Sequence, residues 1–369
     1  MYIEHVSVNN FRNYAAAEFA PAPRGITLLQ GDNGAGKTNI LEAVAYISML
    51  KSFRGAPAGS LVRSGEQQAV LRATANREGR SILVETELNL AGKDKVRLNR
   101  QPVRRAEDLL GTVLATVFSP DDIEVVKGPP QLRRDYADDL LASLHQRHAL
   151  ARADMDRLLK QRNALLRSAG GSLRPGMAGA LNVWDTKFAA VGEAIAQSRE
   201  ALVVALRPEV ELAYSQLSGV ADNVTGGGIG LRYERSWDGE LLAALYNARE
   251  EDIRRGSTSV GPQRDDIHLS VGRLAARTQA SQGEQRSLGL ALRLGGHSLV
   301  TARHGSSPVL LLDDVFSELD RRRCGALMAC LPDGQTLLTS AVAVPDDLPV
   351  ARALYVSGGV LCGGREARA

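Results

Sequence analysis

The clearest pattern in the chain is an apolar stretch, a glycine-rich turn and a helical apolar repeat, in that order. Residues 25–30 read Gly-Ile-Thr-Leu-Leu-Gln, which is typical of a strand buried on both faces. Residues 39–47 carry apolar side chains at helical spacing. The glycines between them permit backbone conformations that other residues avoid. The pattern predicts a strand, a tight loop and the amino end of a helix.

Alternating and β-branched runs predict further strands on both sides of this unit. We expect strands at residues 2–8, 17–19 and 112–118. Residues 309–314 form an apolar run that ends in two carboxylates, and residues 336–340 predict another strand. Three more runs, separated by turn residues, predict an antiparallel meander: residues 69–75, 81–90 and 95–98.

Two long helical stretches separate the early strands from the late ones. Residues 131–168 lack proline and glycine and carry leucines mostly at helical intervals, which predicts one long helix or two in line. Residues 179–217 predict a second long helix, so the two stretches indicate an antiparallel helical arm. Residues 263–271 are expected to form a strand that re-enters the first domain.

These changes of pattern predict a discontinuous domain organisation. Residues 1–127 and 258–369 are expected to form one domain, with residues 128–257 inserted as a helical arm domain. Residues 51–105, a β-subdomain of the first domain, hold 12 basic and 5 acidic side chains, a local charge of +7. Such an excess is typical of a polyanion-binding surface or of an ordinary solvated face, and composition does not separate the two.

Composition narrows the class of protein. Of the 369 residues, 44% are hydrophobic and 24% charged, which is typical of a soluble globular protein, and the net charge is only +3. The chain has no run of 18 apolar residues and no signal-peptide pattern, so we expect no membrane association and a cytoplasmic location. Cys324, Cys330 and Cys362 form no CxxC pair, which argues against a zinc site and agrees with a reducing compartment.

The glycine-rich turn has the residue types of a phosphate-binding loop. Its backbone N–H groups would cradle the phosphates of ATP, Lys37 would reach the β- and γ-phosphates, and the Thr38 hydroxyl would hold Mg²⁺. The alternative is an accidental glycine turn before a helix. The residues expected to bind the nucleotide are Gly31, Asp32, Asn33, Gly34, Ala35, Gly36, Lys37 and Thr38.

The apolar run at residues 309–314 ends where nucleoside triphosphatases carry a metal-binding carboxylate. Asp313 is placed to bind Mg²⁺ through water, and Asp314 is the candidate general base for an attacking water. The alternative is that an aspartate caps a helix after the strand, because aspartate is a favoured capping residue.

A serine-glycine motif precedes this strand in the sequence. Ser281-Gln-Gly-Glu-Gln285 alone would be a weak signal, because serine commonly caps helices. Its position before the acidic strand and before residues 317–320 resembles the order of motifs in ABC-type ATPases. In that family the signature helix binds the γ-phosphate held by the opposite subunit. The resemblance assigns this contact to Ser281, Gly283 and Gln285.

The long helical insertion between Thr38 and Ser281 narrows the resemblance to the SMC-type branch, which acts on DNA. Within that branch the chain resembles the RecF family over nearly its whole length. The stretches that carry this resemblance are residues 10–14 (Asn-Phe-Arg-Asn-Tyr), 31–39, 52–54 (Ser-Phe-Arg), 120–121, 125–128, 133–134, 161–163 (Gln-Arg-Asn) and 261–266 (Gly-Pro-Gln-Arg-Asp-Asp).

The resemblance implies an α/β fold: an ABC-type ATPase head, in which a mixed sheet bears the phosphate-binding loop beside an antiparallel β-subdomain, with an inserted helical arm domain. It also implies a weak, DNA-stimulated ATPase of recombinational repair that forms a homodimer on binding ATP. Such a protein binds single-stranded DNA and gapped or duplex junctions, and helps RecA to load at gaps with RecR and RecO. Arg12 and Asn13 are expected to approach the nucleotide.

Three positions depart from the family patterns. Asp314 stands where transporters usually have glutamate, and either Thr339 or Ser340 stands where they have a histidine, so we expect slow hydrolysis. Gln263 occupies a position at which the RecF family usually has histidine.

DNA is expected to lie against the basic sheet at residues 51–105, with phosphate contacts from Arg97, Arg100, Arg104 and Arg105. Two alternatives remain open. One is an architectural SMC-like DNA-binding protein with little ATPase activity, and the other is a transporter ATPase subunit.

Overall fold

The computed structural model describes every residue except 105, 110, 173–175, 219–227, 318, 343, 346–347 and 367–369. The chain divides into two compact units. The first comprises Met1–Asp122, Leu212–Ala221 and Leu290–Ala369, and the second comprises Ile123–Glu211 and Asp222–Gly289. Within the described part of the chain, no helix is long and apolar enough to span a bilayer.

Strands dominate the first unit and helices dominate the second. The strands are β1 Tyr2–Phe11, β2 Tyr14–Phe19, β3 Gly25–Gln30, β4 Gln68–Arg77, β5 Arg80–Asn89, β6 Lys95–Leu98, β7 Gln101–Pro102, β8 Ala115–Phe118, β9 Ile229–Glu234, β10 Asp266–Val271, β11 Leu274–Ala275, β12 Val309–Asp313, β13 Gln335–Ser340, β14 Val350–Ser357 and β15 Val360–Glu366. The helices are α1 Lys37–Met49, α2 Ile123–Lys127, α3 Pro130–Leu144, α4 Gln146–Ala169, α5 Met177–Ser218, α6 Leu241–Asn247, α7 Arg249–Arg255, α8 Gln282–His304 and α9 Arg321–Cys330.

One sheet of the first unit is antiparallel and has the strand order β2-β1-β4-β5-β6-β7. The predicted meander is confirmed, because β4, β5 and β6 are consecutive antiparallel neighbours. Alternate side chains of β4, including Ala69, Leu71 and Ala73, are buried in the core, as the period-2 pattern requires. The opposite face carries charged side chains such as Arg72, Glu85 and Glu87.

The other sheet of the first unit has the order β15-β14-β3-β13-β12-β8. Strands β8, β12, β13, β3 and β14 run parallel to one another, β15 pairs antiparallel with β14, and every residue of β12 is buried. The carboxyl ends of parallel strands meet at one edge of a sheet, which is where α/β proteins bind ligands. The loop after β3 and the acidic end of β12 therefore lie at the same edge.

The second unit contains a three-stranded antiparallel sheet of order β11-β10-β9. The expectation that residues 263–271 re-enter the first domain is wrong, because β10 pairs with β9 and β11 and belongs to the second unit. The pattern of a single strand does not show which strand it pairs with. In the structure, β10 pairs with β9 along its full length.

The helical stretch at residues 131–168 is two helices, and they are not in line. His145 is extended, with φ −146° and ψ 105°, and separates α3 from α4. The two helices pack together, since Nε2 of His148 on α4 lies 3.0 Å from Oδ1 of Asp138 on α3. A stretch without proline and glycine therefore does not have to form one continuous helix. Here α3 and α4 are separated at His145 and contact each other through Asp138 and His148.

A buried ion cluster holds the middle of the second unit together. Arg162 on α4 is fully buried, and its guanidinium donates to Asp185 on α5 and to Asp252 on α7, each at 2.7 Å. Thr258 accepts a further hydrogen bond from Arg162 at 2.8 Å. One side chain thus links two helices and the segment after α7 to α4.

Candidate nucleotide-binding site

The loop between β3 and α1 wraps around the side chain of Lys37. Its Nζ donates to the carbonyl oxygens of Gly31 at 2.7 Å and Asp32 at 2.8 Å, and the residue is only 7% exposed. The ammonium group therefore lies inside the loop, where a phosphate oxygen can replace either carbonyl as its partner. Helix α1 begins at this lysine, so its free backbone N–H groups face the same space.

Two side chains from the β1–β2 turn hold the outer side of the loop. Asn13 Nδ2 donates to the Ala35 carbonyl at 3.0 Å, and the Tyr14 hydroxyl donates to the Gly36 carbonyl at 3.0 Å. Burial raises the pKa of Tyr14, so the phenol remains a neutral donor. Gly36 has φ 115°, and a Cβ there would lie 2.6 Å from the Asn13 amide. The third glycine of the loop is therefore required for both backbone conformation and space.

The neighbouring Arg12 makes a different contact. Its guanidinium pairs through two hydrogen bonds, of 2.8 and 2.9 Å, with Glu42, which is fully buried on α1. Ser52 also donates to Glu42, so this carboxylate joins the turn, the helix and the following loop. Asn13 thus lies against the phosphate-binding loop, whereas Arg12 is directed to Glu42. A nucleotide contact of either residue stays a prediction.

The end of β12 lies beside the amino end of α1. Asp313 Oδ1 accepts hydrogen bonds from the hydroxyls of Thr38 and Thr339, both at 2.8 Å. Burial raises the pKa of Asp313, and the two hydroxyl donors oppose that rise. The structure thus brings together the two residues expected to bind metal, although 275 positions separate them in the sequence.

Asp314 follows Asp313 in a left-handed backbone conformation with φ 47°. Its N–H donates to the Thr339 hydroxyl at 2.9 Å, and its side chain accepts from Ser317 Oγ at 3.1 Å. A positive φ is uncommon outside glycine, and aspartate tolerates it better than most residues. The turn brings the Asp314 carboxylate to Ser317, one residue after the carboxylate that is expected to bind metal.

Thr339, and not Ser340, contacts both carboxylate residues. Parallel pairing places Thr339 directly beside Asp313, and the alternation of a strand turns the next side chain to the other face. Ser340 instead donates to the Val342 carbonyl at 2.7 Å. The contacts therefore favour Thr339 over Ser340, and a role of Thr339 in place of the transporters' histidine stays a prediction.

Replacing Thr339 with valine tests this contact. Valine keeps the shape but removes the hydroxyl, which leaves the Asp314 N–H without its acceptor and Asp313 with one donor fewer. We expect the rate of ATP hydrolysis to fall about 10- to 100-fold, as for other residues that orient a metal ligand. ATP affinity should change less than about threefold. The control is Ser340→Ala; an equal loss of hydrolysis in both variants, measured by phosphate release, would contradict the assignment.

The oxygen atoms at this edge suit Mg²⁺. A hydroxyl and a carboxylate are hard donors, and Mg²⁺ is commonly held by one or two protein oxygens, with water and phosphate oxygens completing its shell. Among the described residues no group of three or more histidine, cysteine, aspartate or glutamate side chains could hold a metal ion. Thr38 and Asp313 supply one hydroxyl and one carboxylate oxygen, which suits a metal that arrives with a phosphate ligand.

The serine-glycine motif lies at the start of α8, in the second unit. Ser281 is exposed, and its hydroxyl and N–H both donate to the Glu284 carboxylate at 2.8 Å, which forms a capping box. Gln285 is buried, and its amide donates to the carbonyls of Ala276 at 2.9 Å and Arg277 at 3.2 Å. Ser281 is thus available at the surface, whereas Gln285 fixes the loop that precedes the helix.

The candidate DNA contacts lie on the outer part of the antiparallel sheet. Arg97 on β6 is half-buried and stands opposite Glu85 in the strand register, and Glu85 accepts a hydrogen bond from Arg72 at 2.9 Å. Arg100 and Arg104 are exposed, and Arg105 lies outside the described residues. Acidic side chains therefore lie among the basic ones on this face of the sheet. The face is less uniformly positive than the count of basic residues over 51–105 indicates.

Sequence reasoning missed Glu42 and the role of Tyr14. Glu42 had a readable signal, because it is an acidic residue among the apolar positions of α1, where a buried charge needs a partner. Tyr14 lies in the Asn-Phe-Arg-Asn-Tyr stretch, but only the folded turn shows that its hydroxyl reaches Gly36.

Known proteins of one family are similar to this chain over nearly its whole length. The sequence profile of the RecF/RecN/SMC N terminal domain matches residues 2–339. A protein of Streptomyces avermitilis named "DNA replication and repair protein RecF" is 41% identical, over 99% of this chain and 97% of its own length. A Frankia alni protein of the same name is also 41% identical, over 98% of this chain and 99% of its own.

Solved structures are similar over the whole chain. A structure described as the recombination mediator protein RecF with ATP, in the RecFOR pathway, has a TM-score of 0.87 and 26% identity, and covers 98% of this chain and 99% of that one. An Smc head bound to the C-winged helix domain of ScpA has a TM-score of 0.54 at 16% identity, covering 98% and 96%, and shows a shared fold alone.

Proposed function

Because the chain belongs to the RecF family of DNA replication and repair proteins, we propose that it is an ATP-dependent DNA-binding switch of recombinational repair. The observation that carries this proposal is the contact of Thr38 with Asp313 at the mouth of a phosphate-binding loop. The similar RecF structure with ATP supports ATP as the ligand of that loop. Mg²⁺ would be held by the Thr38 hydroxyl and Asp313 and would neutralise phosphate charge.

The hydrolytic step depends on residues beside the metal-binding pair. Asp314 would accept a proton from an attacking water; its N–H donates to the Thr339 hydroxyl, which supports this role by fixing the backbone turn at Asp314. Aspartate is one methylene shorter than the glutamate of transporter ATPases, so we infer slow turnover, with weak stimulation by DNA. Slow turnover suits a clamp or timer. Turnover above about 10 s⁻¹ with DNA present, a typical enzyme rate, would contradict this inference.

ATP is proposed to join two copies of the chain. Each nucleotide would lie between the phosphate-binding loop of one subunit and the α8 amino terminus of the other, under twofold symmetry. The exposed Ser281 hydroxyl and the Gly283 amide would meet the γ-phosphate, while Gln285 fixes the loop behind them. Hydrolysis removes the group that both subunits contact, which loosens the dimer.

Replacing Ser281 with arginine tests the dimer. The larger side chain should block the partner's γ-phosphate, so we expect normal ATP binding by the monomer and no ATP-driven dimer in sedimentation. The matched control is Gln197→Arg, which adds the same charge at an exposed position of α5. A Ser281→Arg protein that still dimerises with ATP would remove the proposed contact between subunits.

DNA is proposed to lie along the outer face of the antiparallel sheet. Replacing Arg97, Arg100, Arg104 and Arg105 with glutamine should weaken duplex and gapped-DNA binding and reduce the salt dependence of log K by roughly 0.9 for each phosphate that the variant no longer neutralises. The control neutralises four basic residues of the second unit that lie on helices: Arg147, Arg157, Lys160 and Arg207. An unchanged affinity and salt slope in the first variant would place the DNA path elsewhere.

The remaining partners follow from the family. We propose that the protein acts in the cytoplasm with RecR and RecO, so that RecA loads at single-strand gaps. The most informative experiment measures ATP-dependent dimerisation with and without gapped DNA. Dimerisation that gapped DNA strengthens would support the switch, whereas DNA binding with no ATP turnover would favour a purely architectural protein.

A further inference from the structure

A turn near the carboxyl end of the chain lies against the phosphate-binding loop. Strand β14 runs parallel to β3, with Tyr355 paired with Gln30, so Val356 reaches the first residue of the loop. A Cβ on Gly31 would lie 2.2 Å from the Val356 carbonyl oxygen. The two backbones are therefore too close for any side chain at Gly31.

The turn between β14 and β15 continues this contact. The Gly359 N–H donates to the Ala35 carbonyl at 3.1 Å, the same oxygen that accepts from Asn13 Nδ2. Gly359 has φ 79°, and a Cβ there would lie 2.5 Å from the Asn13 carbonyl oxygen. The turn is thus wedged between the loop and the β1–β2 turn, and only glycine leaves room for it.

These hydrogen bonds orient the N–H groups of the loop. A trans peptide is planar, so its C=O and the following N–H point in opposite directions. Holding the Ala35 oxygen on the outside therefore aims the Gly36 N–H inward, and the bond from Tyr14 to the Gly36 oxygen aims the Lys37 N–H inward in the same way. Donors that are already aimed bind an anion without reorganising first.

We propose that the β14–β15 turn, through Gly359, is a positioning element of the nucleotide site that presets the Gly36 amide for a phosphate oxygen. The proposal rests on the proposed function of the loop as an ATP site. Gly359 does not contact the nucleotide and acts through the Ala35 peptide. The β14–β15 hairpin therefore contributes to nucleotide binding by orienting the loop that contacts the phosphates.

Two neighbouring glycines provide a matched test. Gly358 and Gly359 both have positive φ, 54° and 79°, so alanine introduces similar backbone strain at either position. A Cβ on Gly358 meets nothing within 4 Å. We expect Gly359→Ala to raise the Kd for ATP and the KM at least about tenfold, with kcat at saturating ATP retained within about threefold. Gly358→Ala should change the Kd less than about twofold.

A purely structural role would lower the melting temperature of Gly359→Ala without a selective effect on ATP binding. Equal ATP affinities in the two variants would overturn the proposal. Failure of the unsubstituted protein to bind ATP would instead overturn the proposed function. If Gly359→Ala does not fold, exchange of the Gly359 amide hydrogen in the unsubstituted protein decides the question. ATP should slow it at least about tenfold relative to the Gly358 amide, and unchanged exchange would overturn the proposal.

Discussion

Replacing Lys37 with alanine is expected to abolish measurable ATP binding and, with it, ATP-driven dimerisation. The ammonium lies inside the loop, where it would exchange the carbonyls of Gly31 and Asp32 for phosphate oxygens. Two hydrogen bonds to a charged partner are each worth about 1.5–3 kcal/mol, so their removal lowers affinity by a factor of about 100 or more. Equilibrium titration with a fluorescent ATP analogue measures this directly.

The control for this variant is Lys160→Ala, which removes the same charge from an exposed position on α4. Both proteins should unfold at nearly the same temperature without nucleotide, because the loop carbonyls of the Lys37 variant remain accessible to water. An affinity for ATP within threefold of the unsubstituted value, with ATP-driven dimers intact, would exclude the loop as the nucleotide site.

Replacing Arg162 with methionine is expected to lower the free energy of unfolding of the second unit by about 3–5 kcal/mol. The side chain is fully buried between Asp185 and Asp252, which are themselves almost completely buried. Removing the cation leaves two carboxylates without their shared partner in a medium that solvates charge poorly. Urea unfolding followed by circular dichroism provides the measurement.

Arg157 on the same helix supplies the matched control. It pairs with Asp154 at 2.6 Å, but its side chain is 70% exposed, so Arg157→Met should cost less than about 1 kcal/mol. Asp185 also accepts a hydrogen bond from Arg249, at 2.6 Å, so Asp185→Leu alone should destabilise the unit as well, by leaving two arginines without this partner. Comparable destabilisation by Arg162→Met and Arg157→Met would show that the buried cluster is not the source of the effect.

The pattern of apolar residues and glycines predicted the elements whose conformation is determined by residues adjacent in sequence. The strand, loop and helix around Lys37 and the apolar strand that ends at Asp313 are both of this kind. Their meeting at one sheet edge followed from the ABC-type resemblance, which the fold confirms.

Pairing between distant segments limited the rest of the prediction. The sequence does not show that β10 prefers β9 as its neighbour, since a strand pattern gives its faces but not its partner. The choice between Thr339 and Ser340 required the register of β13 against β12, because a shift of one residue exchanges the two faces. Arg12 was expected at the nucleotide, and its pairing with Glu42 appears only when the turn packs on α1.

The position of β3 has a consequence for synthesis on the ribosome. This strand lies between β13 and β14, so both of its hydrogen-bonding neighbours are translated roughly 300 residues after it. Translation proceeds at about 5–20 residues per second, so β13 and β14 are synthesised about 15–60 seconds after β3. Until then β3 has no strand to pair with on either side. During that interval the nascent chain exposes a segment that chaperones bind readily, and it cannot complete its ATP pocket. Premature termination anywhere before β13 therefore releases a polypeptide prone to aggregation and without a finished nucleotide pocket.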